Sequence, residues 1–439
     1  MRSDRNGAGA PSVFCFLGAY CGQGKQMQST NEPIRMLAAS AGRIFPDGSF
    51  IELTRDRGGT LKLLTRDGGT VKIVDQFVHG DATYTAPRVH HSVRDSLVLP
   101  NSCGEFGSTR KLINKIANLF SLAGAGSVAV PLSFLVFASW LPEFAPVAPF
   151  LWIVVPPTFT TAALKQTLHL LCRHAVVLSA VSNSWPTSLP TVLQPTLIAE
   201  VDRPSRRLVE TLRASQSHSV YLARTGEAVD AFCTKVIFSR EPPEDPAGVG
   251  FPLVIFLPSE ADYVPPMEFS QAARVSEEFQ SKFLGYRVTN FSKVAPPSFD
   301  LGRICAPVRA LAHSLAGAIV GDDLVQARIV PYLQECDADF QTDRAATLRR
   351  TIAEALVSRW GEEKVSVTDL TGDINTISVG RGCSEELSPE TVGWKLKTLG
   401  LRTTSISGGL KGLKMADARS LIAKVAAMYG ISIPKNTPG

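Results

Sequence analysis

The run Phe150-Leu-Trp-Ile-Val-Val-Pro-Pro-Thr-Phe-Thr-Thr-Ala-Ala-Leu-Lys165 decides how this chain is read. Its first six residues are continuously apolar and stop at Pro156-Pro157, the pattern of a strand buried on both faces that runs into a sharp turn. Beyond the turn, Leu164, Leu168, Leu171 and Cys172 fall close to helical spacing. Pro195-Thr-Leu-Ile-Ala-Glu-Val-Asp202 then reads as a second hydrophobic strand tipped with acid. Working outward, 206–215 has a helical pattern, while 231–239 and 251–258 read as further strands. Such alternation predicts an α/β fold with a mostly parallel sheet covered by helices on both faces.

The order and spacing of these segments resemble the P-loop ATPase core of bacterial mobile-element and plasmid-type helicase- or primase-associated proteins. In that family the first motif resembles a glycine, two prolines, then Gly-x-Gly-Lys-Thr-Thr-Leu. Placed without a gap, the first glycine falls on Val155 and the prolines on Pro156 and Pro157. The next glycine falls on Thr158, the last on Thr160, the phosphate-binding lysine on Thr161 and the magnesium-binding hydroxyl on Ala162; the closing leucine is Leu164. At the second strand the family's metal-binding aspartate falls on Ala199, with Glu200 and Asp202 retained beside it.

A phosphate loop works because glycines let successive N–H groups converge on the anion, while lysine neutralises charge and a hydroxyl holds the ion. Thr158-Phe159-Thr160-Thr161 supplies neither glycine nor cation, and β-branched threonines resist left-handed backbone. Without the family's loop lysine and magnesium as partners, Glu200 is expected to have nothing to activate. The resemblance therefore implies a P-loop-like core with a degenerate loop, in which Pro156, Pro157, Thr158, Thr160, Thr161, Glu200 and Asp202 mark a vestigial nucleotide site.

With 439 residues there is room for two or three domains, and 44% hydrophobic content excludes a globally disordered chain. The net charge of +5 is mild. The 8 cysteines form no CxxC pair and fit a reducing interior. His169 and Cys172 lie three apart within an apolar helix, so packing is favoured over metal binding. Residues 1–35 read as a poorly ordered lead. Gly22-Gln-Gly-Lys25 fails as a phosphate loop, because Ala19 stands where the first glycine is needed and Gln26 where the hydroxyl is needed.

From 40 to 110, short apolar segments at 50–53, 61–64 and 71–74 are separated by glycine turns, which predicts a small β-rich subdomain. Between Lys115 and Lys165 the only charged residue is Glu143, so a two-span membrane hairpin must be weighed. Gly124, Gly126, Pro131, Pro142, Pro146 and Pro149 interrupt that run and favour a buried helix near 128–140. A cytoplasmic location follows from this choice.

The core is expected to span 111–265, followed by a helical linker or lid at 266–361. Its candidate helices are 272–284, 304–319, 322–336 and 343–360. The C-terminal part, 362–435, resembles a winged-helix domain in the position where the family carries one. Leu387-Ser-Pro-Glu-Thr-Val-Gly-Trp-Lys-Leu-Lys-Thr-Leu-Gly400 has a serine cap, proline at the first helical position and glycine at the stop. Val392, Leu396 and Leu399 form its buried stripe, with Lys395 and Lys397 beside it. Residues 401–414 read as two strands around a glycine-rich wing, and 416–429 as a closing helix. Residues 391–439 carry eight lysines and arginines against one acid, Asp417. Lys395, Lys397, Arg402, Lys411 and Lys414 are the candidate contacts to double-stranded DNA.

Three readings stay open. The favoured one is a non-enzymatic DNA-binding or scaffold protein with ATP hydrolysis lost and no cofactor; the resemblance implies an accessory role in replication or mobile-element biology. The second is a weak or partner-dependent nucleotide-binding ATPase subunit that retains some affinity for ATP and magnesium. The third is a vestigial protein whose winged helix docks another protein.

Overall fold

The computed structural model describes residues 36–434 apart from 68–69, 179–192, 202–203, 219–220, 225–226, 244–245, 259–262, 298, 301, 303, 347, 381–385 and 407–408. The lead at 1–35, with its Gly22-Gln-Gly-Lys25 stretch, lies outside the described residues, as does Asp202.

The entry region holds seven strands, β1 (Met36–Ala39), β2 (Gly42–Ile44), β3 (Phe50–Arg55), β4 (Leu61–Asp67), β5 (Thr70–Val74), β6 (Gln76–His79) and β7 (Ala82–Thr85). They form two sheets: β2-β3-β4-β5 is antiparallel throughout, and β7 sits between a parallel β1 and an antiparallel β6. Phe50 and Leu64 join the main hydrophobic core, whereas Leu53 packs with Ala41, Leu97 and Val176. Both faces of β3 are therefore covered.

Three helices follow, α1 (His91–Ser96), α2 (Thr109–Leu122) and α3 (Ala129–Ser139). Helix α3 occupies the stretch weighed as a membrane hairpin, and all of its residues except Val130 are buried. Leu132, Leu135 and Val136 belong to the same cluster as the α/β sheet, so protein takes the place that lipid would occupy. No helix among the described residues is long and apolar enough to cross a membrane.

The central α/β unit runs β8 (Phe150–Val154), α4 (Ala162–Leu171), β9 (Ala175–Leu178), β10 (Thr196–Glu200), α5 (Arg206–Ala214), a hairpin of β11 (Tyr221–Arg224) and β12 (Glu227–Asp230), β13 (Thr234–Ser239), α6 (Pro246–Val249) and β14 (Leu253–Phe256). Its five-stranded sheet is parallel throughout, in the order β14-β8-β13-β10-β9. Alternation along β8 explains the layering. Leu151 and Ile153 face the cluster containing α2, α3 and α4, while Phe150 and Trp152 face Leu208 and Leu212 of α5 and Val249 of α6. The expected mostly parallel, doubly covered sheet is present. Strand β9 is an addition, because Ala175-Val-Val-Leu178 is a short edge strand directly behind a helix.

Next come α7 (Phe269–Asn290), α8 (Ala306–Ala316), α9 (Asp323–Gln326), α10 (Val330–Ala346) and α11 (Leu348–Ser358). Helices α7 and α8 contribute Phe283, Leu284, Leu311 and Leu315 to the main core. The helix expected to begin at Asp343 does not: α10 is already helical there, because no breaking residue interrupts it before Ala346.

The chain ends with β15 (Lys364–Ser366), α12 (Val367–Gly380), α13 (Pro389–Thr398), β16 (Thr404–Ser405), β17 (Lys411–Lys414) and α14 (Met415–Met428). The three strands form an antiparallel sheet in the order β15-β17-β16. A separate hydrophobic cluster holds this part together, including Val365, Leu370, Val392, Leu396, Leu413 and Ile422. Ile352 and Leu356 of α11, grouped by sequence with the linker, belong to this cluster.

One buried ionic group joins the entry sheet to the α/β unit and α7. Glu52 on β3 is fully buried and lies 3.0 Å from Arg173, 2.9 Å from His174 and 3.4 Å from Arg287. Arg287 also donates to Glu143 and to the carbonyl of Trp140. Gly42 passes so close that a Cβ there would overlap the Arg173 guanidinium.

Candidate functional site

In a parallel sheet, ligands gather beyond the carboxyl ends of the strands. The Pro156–Thr161 turn leaves β8 at that edge, and β13 lies between β8 and β10, so the segment after β13 is placed between the turn and Glu200. Phe159 N donates to Pro156 O at 3.0 Å, and the Phe159 side chain is buried in the main core. Its ring fills space beside Gly124, where an added Cβ would sit 3.4 Å from Phe159 Cζ. None of residues 156–161 adopts a positive φ. Pro157, Thr158 and Thr160 are exposed and Thr161 is buried. Thr161 offers no side-chain cap to α4, and its carbonyl accepts the first helical bond from Lys165 N. The turn is thus anchored by an aromatic side chain.

Glu200 does meet a lysine, one that comes from α4 and not from the loop. Lys165, one helical turn beyond Thr161, places Nζ 2.7 Å from Glu200 Oε2. The spacing along α4 accounts for this reach, since positions four apart lie one above the other. Arg240, directly after β13, donates through Nη1 to Pro156 O at 2.7 Å. Lys165 and Arg240 are therefore engaged by a carboxylate and a backbone carbonyl.

At the other candidate site, Ser388 caps α13 by accepting from Thr391 N, and Pro389 starts its first turn. Gly400 ends it at φ +82°, a conformation that disfavours any side chain there. Val392 and Leu396 are fully buried, which fixes the face of α13 that packs inward. Asn375 of α12 exchanges two hydrogen bonds with Leu387, at 3.1 and 3.0 Å, and ties the two helices together. Arg359 grips Asp373 through two bonds of 2.6 and 3.0 Å, fastening α11 to α12.

That packing leaves a groove of about 860 Å³ between the start of α12, the exposed face of α13 and β17. Lys397, Arg402 and Lys411 line it together. Lys395 stands beside it, with Nζ 5.0 Å from the centre of the Trp394 ring. Lys414 lines a neighbouring hollow with Arg402 and Asp417. Of the five cations singled out in the sequence, three share one groove and the others flank it. Trp394 is an addition: it lines the groove and is 59% exposed. Its position off the Val392–Leu396–Leu399 stripe was the signal that could have found it.

Among the described residues, no group of three or more His, Cys, Asp or Glu side chains is placed to hold a metal ion. His169 hydrogen-bonds the carbonyl of Ser96 at 2.8 Å, and Cys172 is buried in the core. Burial pushes the Cys172 thiol up to about 12.

The sequence matches no family model and no curated protein. Among solved structures, the chain is similar to a full-length MCM homolog from Methanopyrus kandleri at 12% identity and a TM-score of 0.32, over 66% of this chain and 76% of that one. It is also similar to the apo NrS-1 C-terminal region at 10% identity and a TM-score of 0.33, over 83% of this chain and 96% of that one.

Proposed function

We propose that this chain is a non-enzymatic DNA-binding or scaffold protein that engages duplex DNA through its C-terminal part and no longer hydrolyses ATP. The observation that carries this reading is the convergence of Lys397, Arg402 and Lys411 on one exposed groove, with Lys395 and Lys414 at its margins. The order α11-β15-α12-α13-β16-β17 supports a winged helix in which α13 is the recognition helix and the β16–β17 connection the wing. Side chains of this kind neutralise phosphates and position a duplex without reading its sequence.

Loss of hydrolysis is supported by the Phe159 anchor, because opening an anion nest there would require pulling a buried ring out of the core. The second reading, a weak or partner-dependent nucleotide-binding subunit, is favoured by Lys165, Arg240 and Glu200 lying beside the turn.

The test is duplex binding by the full chain, compared with the Lys395→Gln, Lys397→Gln, Lys411→Gln, Lys414→Gln variant. The variant is expected to lose about ten-fold or more in affinity at low salt, across unrelated sequences. Equal binding by both proteins would reject this surface and leave the C-terminal part as a protein-docking unit.

A further inference from the structure

We infer that the groove beside α13 holds unpaired nucleobases, with Trp394 as the stacking platform, so that the protein prefers a duplex carrying a single-stranded tail to a blunt duplex. This rests on the DNA-binding reading of the same surface and specifies which form of nucleic acid it takes.

Trp394 does not contribute to folding in the way its neighbours on α13 do. The helix buries Val392 and Leu396 completely and leaves the Trp394 indole 59% exposed. A large aromatic ring in that position meets water unless a ligand covers it. Lys395 is held over the ring by a cation–π contact at 5.0 Å, so a ligand stacks on the face that this lysine leaves open.

The surroundings identify the ligand. Lys397, Arg402 and Lys411 line the same groove, and the hydroxyls of Thr368 and Thr403 lie along it. Cations arranged beside an exposed ring suit a chain that alternates phosphates with flat bases. A paired duplex keeps its base faces stacked on one another and offers only base edges and phosphates to a helix. An indole platform gains little from edges, whereas an unpaired base presents its whole face. Glu390, the one acid among the described residues that line the groove, disfavours phosphate at its end. That directs the backbone toward Arg402 and Lys411 and the bases toward Trp394. The groove, about 860 Å³, has room for such a segment.

Fluorescence anisotropy of the full chain tests this with three labelled probes: a blunt duplex, the same duplex with a single-stranded tail, and the single strand alone. Wild type is expected to bind the tailed and single-stranded probes more tightly than the blunt one. Trp394→Ala should lower those two affinities by about ten-fold or more and the blunt duplex by a clearly smaller factor, because the blunt duplex offers no base face to the ring, and Trp394→Phe should retain most of the preference. The unfolding midpoints of both variants should match wild type, because the indole is largely exposed. Two results would overturn the inference while leaving duplex binding intact: no effect of Trp394→Ala on the tailed and single-stranded probes, or an equal loss on all three. Failure of wild type to bind any probe at low salt would remove both readings.

Discussion

At the scale of single residues, the most consequential side chain outside the two sites is Glu52. Burial would raise its carboxyl, but Arg173, then His174 and Arg287, outweigh that and bring it down to about 2. A depressed carboxyl contributes stability that is present above its unfolded value near 4.5 and is lost as pH falls toward 2. Glu52→Gln leaves Arg173 and Arg287 buried with less counter-charge, and should cost about 3–5 kcal/mol in chemical denaturation at neutral pH. Breaking the exposed Arg206–Glu210 pair with Arg206→Ala should cost less than about 0.5 kcal/mol and serves as the contrast. If the two variants were equally stable, the buried group would not be fastening the three parts of the chain.

Lys235 is a second buried charge, with opposite sign. Burial lowers it to about 8, although Nζ donates to the carbonyls of Ser215 and Cys233, each at 3.0 Å. Between pH 8 and 10.5 the unfolded chain binds the proton that the folded chain has released, so this residue adds stability as pH rises through that window. Wild type should therefore gain on Lys235→Met between pH 8 and 10, by up to about 3 kcal/mol. A difference in unfolding free energy that stays constant with pH would contradict it.

At the scale of elements, the Pro156–Thr161 turn should behave as part of the core. Phe159→Ala is expected to cost about 3–5 kcal/mol, the usual range for emptying a buried aromatic site. Thr161→Lys alone should give no magnesium-dependent phosphate release from ATP above background, because the turn geometry and Ala162 are unchanged. Release by the wild-type chain that Glu200→Gln abolishes would refute the claim of lost hydrolysis.

The strands β8, β10, β13 and β14 were legible in the sequence because continuous apolar runs ended by proline, acid or serine leave few alternatives. Helix α3 was legible for a different reason, since the prolines and glycines that interrupt the apolar run around it argued against lipid. Strand β9 was not, because four residues behind Arg173-His174 carry no turn signal that sequence rules recognise; His174 makes that turn with a positive φ of 47°. The Lys165–Glu200 pair was not legible because a phosphate loop carries its lysine at the loop's end, while here the lysine lies one helical turn further on. Trp394 was hidden by being read as one letter of a helix, although its offset from the buried stripe already placed it outward.

At the scale of the whole molecule, the two largest hydrophobic clusters among the described residues are a core spanning Phe50 to Leu333 and a separate one from Ile352 to Ala426. The first accounts for the parallel sheet and the anchored turn. The second positions the basic groove. Positive charge concentrated beside the second cluster is the physical basis for the function proposed, and counterion release is its direct signature. The most direct measurement is the salt dependence of duplex binding by the full chain and by the quadruple lysine variant. Wild-type affinity should fall steeply with salt, and removing four phosphate contacts should reduce the slope of log K against log salt by about 3 to 4. Binding of the same strength and slope in both proteins, or none by wild type at low salt, would contradict the account.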